Sequence, residues 1–134
     1  MMVRVLLILI FLGIGFAQNW YTNLQEGFQK AKKENRLVLI YFYSEHCPYC
    51  HQVEEFLFGD PEVDKFLQKN FVVVAINYAQ DKQMVKRFGV YGTPTFVILE
   101  PRNGRVLKKI FGSVPKDQFM PELINACNKS LRRC

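Results

Sequence analysis

Three observations predict an α/β fold, with a mixed central sheet flanked by helices on both faces. First, "LVLIYFY" (37–43) and "FVVVAINY" (71–78) are continuous β-favouring apolar runs. Such runs suit strands buried on both faces rather than on one. Second, segments of helical spacing lie between them, and strand–helix–strand units imply parallel neighbours. Third, the short link "PRNG" joins two further strand-like runs near the end of the chain. A link that short implies an antiparallel hairpin.

The elements come in this order. "NWYTNLQEGFQKAKKENR" places Leu24, Phe28 and Ala31 at helical spacing, with Thr22 or Asn23 able to cap and an end near Asn35. The first strand, 37–43, runs directly into Cys47 and Pro48, after which helical spacing resumes through Val53, Phe56 and Leu57. Asp60-Pro61 is a cap-plus-first-turn pair opening a short helix over Val63, Phe66 and Leu67. After the second strand, Asp81 can cap "KQMVKRF", a helix stopped by Gly89. "TFVILE" is a third strand, and "RVLKKIFG" a fourth with alternation at Val106, Lys108 and Ile110. A last helix carries Phe119, Leu123, Cys127 and Leu131 on one stripe. Pro121 removes a mid-helix hydrogen bond, so this helix is expected to start near Met120 or to kink there.

The 134 residues suffice for one compact domain, and a hydrophobic content of 49% with 22% charged residues is globular rather than disordered. The N-terminus "MMVRVLLILIFLGIGFAQNW" has Arg4, an apolar run from Val5 to Phe16, and small residues at Gly15 and Ala17. A charged start, a short apolar stretch and a small-x-small ending describe a secretory signal peptide. The run falls short of the ~20 residues of a comfortable membrane span. Residues 1–17 are therefore expected to be cleaved and residues 18–134 to form the domain, in the periplasm or otherwise outside the cytoplasm. The alternative is an uncleaved membrane anchor. The net charge of +6 falls by one when Arg4 is removed, and the remaining Lys and Arg are scattered apart from the tail "NKSLRRC". Solvated helix faces account for them, and no nucleic-acid partner is implied.

The chemistry concentrates in "SEHCPYCHQVEE" (44–55). His46, Cys47, Cys50 and His51 suggest a metal set, but adjacent residues at a helix start point apart, and structural zinc usually takes a second, distant ligand pair. No metal and no cofactor is assigned. A copper-binding or copper-delivery module on Cys47 and Cys50 remains the alternative from a different class, since Cu(I) suits soft thiolates. Read as a redox couple, a C-x-x-C where a strand meets a helix puts the first sulfur at the helix N-terminus. Unpaired N–H groups and the helix dipole stabilise a thiolate there. Cys47 is then the attacking nucleophile. Cys50, one turn inside, is the buried partner that resolves the mixed disulfide. "VYGTPTFVIL" adds Thr93-Pro94 at the start of a strand, where a proline costs the sheet no hydrogen bond.

"FYSEHCPYC", "GVYGTPTFVIL" and "NGRVLKKIFG", in that order, resemble the thioredoxin superfamily over nearly all of residues 20–131. Exported thioredoxin-like proteins and the C-terminal domain of DsbD-type thiol:disulfide interchange proteins are the members it is most similar to. The resemblance implies a thioredoxin-like fold, a protein-disulfide oxidoreductase and a redox-active Cys47–Cys50 disulfide. It implies a cis-proline at Pro94 that keeps the sulfurs from binding metal, and backbone contacts from Thr93 to a substrate strand. The partners implied are protein thiols and disulfides and a membrane thiol:disulfide electron donor, met by a monomer. The sequence departs from thioredoxin at Pro48-Tyr49, which resembles glutaredoxins, and at Tyr41, where thioredoxin carries a buried Asp six residues before the first Cys. A proton acceptor for Cys50 must then come from elsewhere. Glu54, one helical turn on, is the candidate, with Glu45 second. A protonated His46 could stabilise the Cys47 thiolate through charge. Tyr49 is an expected exposed contact for partners, and His51 is solvent-facing and has no assigned role.

Thioredoxin sits near about −270 mV and the oxidant DsbA near about −120 mV. Pro48-Tyr49 and His46 argue for a value above thioredoxin's, while the lack of an inserted helical lid argues against a DsbA-type oxidase. The expected role is a reductase, with an oxidase or isomerase as the alternative. In a continuous helix, Cys127 and Cys134 would lie ~10.5 Å apart, beyond the ~7 Å that a bridge spans. They can pair only if the helix frays after Asn128. A buried, inert Cys127 thiol and a mobile Cys134 are expected.

Overall fold

The computed structural model describes residues 20–130 and Cys134. The segment expected to be a signal peptide lies outside the described residues, as does Leu131. The elements are α1 (Leu24–Glu34), β1 (Leu37–Tyr43), α2 (Pro48–Val53) running on as a π-helical turn (Glu54–Phe58), α3 (Pro61–Asn70), β2 (Phe71–Asn77), α4 (Lys82–Phe88), β3 (Thr95–Leu99), β4 (Val106–Phe111) and α5 (Lys116–Lys129). The sheet order is β2-β1-β3-β4, with β1 parallel to β2 and the other pairs antiparallel. Tyr21 adds an isolated parallel bridge outside β2, its N–H donating to the Val73 carbonyl at 2.8 Å.

The alternation of β1 divides the core in two. Leu37, Leu39 and Tyr41 face α2, α3 and α5, meeting Val53, Leu57, Val63, Leu67, Phe119 and Leu123. Val38, Ile40 and Phe42 face the opposite way, towards Ala31 of α1 and Phe88 of α4. Successive side chains of a strand point to opposite faces, so a run apolar throughout requires helices on both sides. The mixed sheet with two helical layers is the predicted one.

The local signals hold where they rest on capping chemistry. Asn23 accepts from the Glu26 N–H at 3.1 Å, and Asn35 ends α1 with φ 55°. Asp60 accepts from the N–H groups of Glu62 and Val63 at 2.9 and 3.1 Å, ahead of Pro61. Asp81 accepts from the Met84 N–H at 3.1 Å, and Gly89 closes α4 at φ 62°.

Four expectations are corrected. Phe56 is exposed and Phe58 is buried in its place, because the π-helical turn inserts a residue and rotates the remainder of the helix. In β4, Leu107 and Ile110 are buried while Val106 is exposed. Ile98 pairs with Lys108 and Leu99 with Val106, so Leu107 is the extra residue of an irregular register and turns inward. The last helix starts at Lys116, not Met120, and continues through Pro121. The buried stripe of Phe119, Leu123, Ala126 and Cys127 offsets the single hydrogen bond that Pro121 removes. Finally, α5 stops at Lys129 with Ser130 extended, which brings the Cα atoms of Cys127 and Cys134 to 5.2 Å. The two are bridged, and Cys127 is not an inert thiol.

Two measurements test this packing. A Cβ on Gly27 of α1 would come within 2.4 Å of Cγ2 of the fully buried Val74. Overpacking of this kind costs about 1–3 kcal/mol, against a gain of about 1 kcal/mol in helix propensity. Gly27→Ala is expected to lower the Tm by roughly 5 °C in thermal denaturation. The second concerns Asp60, whose carboxyl the Val63 N–H holds below its usual range, with Lys116 and the Glu62 N–H acting the same way. A depressed folded pKa contributes stability that is present above the unfolded value and lost as the pH falls through the folded one. Asp60→Ala should therefore lower the Tm at pH 7, with the gap from wild type narrowing below about pH 4.

Candidate redox site

The site forms where β1 ends. Pairing of Leu37 through Tyr43 with β2 and of Val38 through Phe42 with β3 brings the chain to the rim of the sheet, and Ser44 to His46 turn it into α2. Cys47 is the N-cap of α2, in extended conformation, with Pro48 in the first turn. Proline fits there because its missing N–H would have no helical partner. The Cys50 N–H donates to the Cys47 sulfur at 3.1 Å. The cap position usually held by a Ser or Asp oxygen is thus held by sulfur. Cys47 is 7% exposed and Cys50 is fully buried, and the two are bridged with their Cα atoms 5.2 Å apart.

Across from the pair lies the loop before β3. The Thr93–Pro94 peptide is cis. The Thr93 hydroxyl lies 3.5 Å from the Cys47 sulfur, and the Thr93 carbonyl 3.7 Å from it. Ser44 and Thr93 share a hydroxyl–hydroxyl hydrogen bond of 2.9 Å. The Gly112 N–H donates to the Pro94 carbonyl at 2.8 Å, so the end of β4 fixes this loop from its far side.

Beneath Cys50, the Tyr41 hydroxyl donates to Glu54 Oε2 at 2.8 Å and lies 3.4 Å from the Cys50 carbonyl. Burial pushes the Tyr41 phenol well above its usual pKa, and the hydrogen bond to Glu54 and that residue's charge add to this. Tyr41 is a neutral donor at any physiological pH. His51 Nδ1 lies 3.7 Å from Glu54 Oε1.

The structure thus gathers Cys47, Cys50, Thr93, Pro94 and Glu54. Glu45 and His46 are exposed on the turn ahead of Cys47. Tyr49 is 61% exposed beside the pair. Among the described residues, no group of three or more His, Cys, Asp or Glu could hold a metal ion. Sequence reasoning missed Ser44, the Tyr41 hydroxyl as a partner of Glu54, and two exposed aromatics, Tyr91 and Phe111. Phe111 packs over Gly92, where a Cβ would sit 3.5 Å from its ring. Phe111 faces solvent by ordinary strand alternation with the inward-facing Ile110.

A family model described as a thioredoxin-like domain matches residues 24–126. The chain belongs to the thioredoxin-like family. A thioredoxin from Thermus thermophilus superposes with a TM-score of 0.75 at 38% identity, covering 82% of this chain and 87% of that one. The C-terminal domain of DsbD from Neisseria meningitidis, in its oxidised form, shares the fold at a TM-score of 0.62 and 18% identity, covering 76% of this chain and 94% of that one. Among curated relatives, mouse anterior gradient protein 3 is 24% identical over 90% of this chain and 75% of its own. The thiol:disulfide interchange protein DsbD of Haemophilus influenzae is 24% identical over 66% of this chain, which spans 16% of that protein. Mouse spermatogenesis-associated protein 20 is 37% identical over 44% of this chain, and the match spans 8% of that much longer protein. With its bridged cysteine pair on this fold, the chain is a thiol:disulfide oxidoreductase of the thioredoxin type.

The geometry orders the two sulfurs. After reduction, limiting iodoacetamide is expected to label Cys47 at least about tenfold faster than Cys50, because a thiolate at a helix N-terminus is favoured and Cys50 is closed off. Peptide mass spectrometry of singly labelled protein checks this, and preferential labelling of Cys50 would contradict it.

Proposed function

We propose that the protein is an exported reductase of protein disulfides, supplied with electrons by a membrane thiol donor. The observation that carries this reading is the cap geometry, with the Cys47 sulfur accepting the Cys50 N–H at 3.1 Å above a fully buried Cys50. The Cys47 thiolate attacks one sulfur of a substrate disulfide, and the other substrate sulfur leaves and takes a proton. Cys50 then gives up its proton and attacks Cys47. The Cys47–Cys50 disulfide forms and the second substrate thiolate departs. Two electrons have passed to the substrate, and a donor dithiol returns them by the reverse exchange.

Glu54 receives the Cys50 proton in this scheme, since residues four apart share a helix face. Thr93 offers its backbone to the substrate strand beside Pro94, and Tyr49 is part of the contact surface. Export rests on the N-terminal pattern of residues 1–17, and no helix among the described residues is long and apolar enough to cross a membrane. The likeness to DsbD proteins supports a membrane donor.

Expressed with its own N-terminus, Cys50→Ser should accumulate mixed disulfides with extracytoplasmic proteins, on a mature chain beginning at Gln18. The double variant Cys47→Ser/Cys50→Ser should trap none. Non-reducing electrophoresis and mass spectrometry identify the partners. A midpoint near about −120 mV, with no reduction by a thioredoxin-type donor, would overturn the reductase reading in favour of an oxidase.

A further inference from the structure

The geometry points to Tyr41 as a positioning residue for the resolving half of the reaction: its phenol holds the Glu54 carboxylate in place to take the proton that Cys50 releases. The inference rests on the assignment of Cys47 and Cys50 proposed above. Tyr41 is fully buried, and its ring is fixed on every side. It stacks on Phe96 at 5.5 Å and packs against Phe58, Trp20 and Tyr43 at 5.1, 5.8 and 5.9 Å. A ring held this firmly presents its hydroxyl at one point in space. There it meets Glu54 Oε2 at 2.8 Å and the Cys50 carbonyl at 3.4 Å. The hydroxyl has one proton for two acceptors, and the shorter contact takes it.

The alternation of β1 explains why a tyrosine serves. Its odd-numbered residues face α2, so position 41 looks directly at the helix that carries Cys50. A short acid at this position could act on the sulfur from the strand. The longer phenol reaches past it to a carboxylate borne by the helix. The strand thus supplies a rigid neutral donor and the helix a proton acceptor. The titratable groups around the carboxylate are Tyr41 from β1, with Tyr43 beside it, and His51 and Cys50 from α2. His51 is solvent-exposed at 3.7 Å from Oε1. The Tyr41 contact at Oε2 is the shorter one and only part-buried, on a carboxylate that is 39% exposed, and it sets the carboxylate's orientation. When the proton arrives, Glu54 can donate to the Tyr41 oxygen, and the phenol proton can turn to the Cys50 carbonyl.

The test uses the full chain with the Cys47–Cys50 bridge reduced and the Cys127–Cys134 bridge left intact, mixed with the aromatic disulfide 5,5′-dithiobis(2-nitrobenzoate) and followed by stopped-flow absorbance. Attack by Cys47 releases one thionitrobenzoate, and attack by Cys50 on the resulting mixed disulfide releases the second. The first release is the internal reference within each protein. Tyr41→Phe, which keeps the ring, is expected to slow the second release relative to the first by about tenfold at pH 7, part of the 10²–10⁴ typical of a placed base. The deficit should shrink as the pH rises and hydroxide replaces the carboxylate. Glu54→Gln should slow it at least as much, and the double variant should be no slower than Glu54→Gln. Glu54→Asp, whose shorter side chain cannot reach the phenol, should reproduce Tyr41→Phe without touching the aromatic packing. A second-release pH profile in Tyr41→Phe or Glu54→Asp that superposes on wild type would overturn the inference, as would additive losses in the double variant. Absence of the first release in wild type would overturn the Cys47 assignment, and the inference with it.

Discussion

The site depends on β1 being paired along both edges and buried on both faces. Val38 through Phe42 bond to β3 while Leu37 through Tyr43 bond to β2. A one-residue slip in this strand would exchange its two faces. Tyr41 would turn from Glu54 towards α4, and Phe42 would face α2. The chain would also reach the rim one residue early or late, displacing the sulfur that caps α2. Both pairings and two apolar faces oppose such a slip together. The strand carries neither cysteine, yet it fixes where they meet.

From that fixed end, each sulfur acquires a different environment through short-range causes. The Cys47 sulfur receives an N–H that an ordinary helix start leaves without a partner, and it faces the Thr93 hydroxyl. Both contacts favour negative charge on that sulfur once it is reduced. Cys50 lies one turn deeper and is fully buried. The different surroundings of the two sulfurs, on which the proposed attacking and resolving roles rest, thus stem from the direction of a single helix. The π-helical turn beginning at Glu54 sits just below it. It rotates Phe58 into the aromatic cluster around Tyr41 and sends Phe56 outwards.

Much of this was legible in the sequence, for identifiable reasons. Apolar runs fix strands because burying both faces leaves no other solution, and Asn23, Asp60, Asp81 and Gly89 act through contacts within a few residues. The redox pair is legible because strand, cysteine and Pro48 are contiguous. The failures arise where one residue is inserted into a regular period. The π-helical turn misplaces Phe56, and the extra residue at Leu107 misplaces Val106. Neither insertion has a local signature, since each is decided by packing against a distant element. The Tyr41–Glu54 contact was half legible. Both residues stood out, one as a departure and one as a candidate, but the thirteen positions separating them hid that β1 and α2 fold back on each other.

The C-terminal bridge is separated from the redox pair by the same strand geometry. Cys127 lies on α5 one turn from Ser130, whose hydroxyl donates to Glu100 at 2.8 Å. Glu100 directly succeeds Leu99, which pairs with Val38 at the start of β1. Cys47 lies beyond the other end of that strand. Seven residues of strand at ~3.3 Å each put about 20 Å of sheet between the two sulfur pairs. Thiol–disulfide exchange requires sulfur-to-sulfur contact, so the folded chain cannot pass the redox disulfide to Cys127 and Cys134. The four cysteines form two separate pairs, one placed at a helix start with its first residue 7% exposed, the other tying the end of α5 to Cys134.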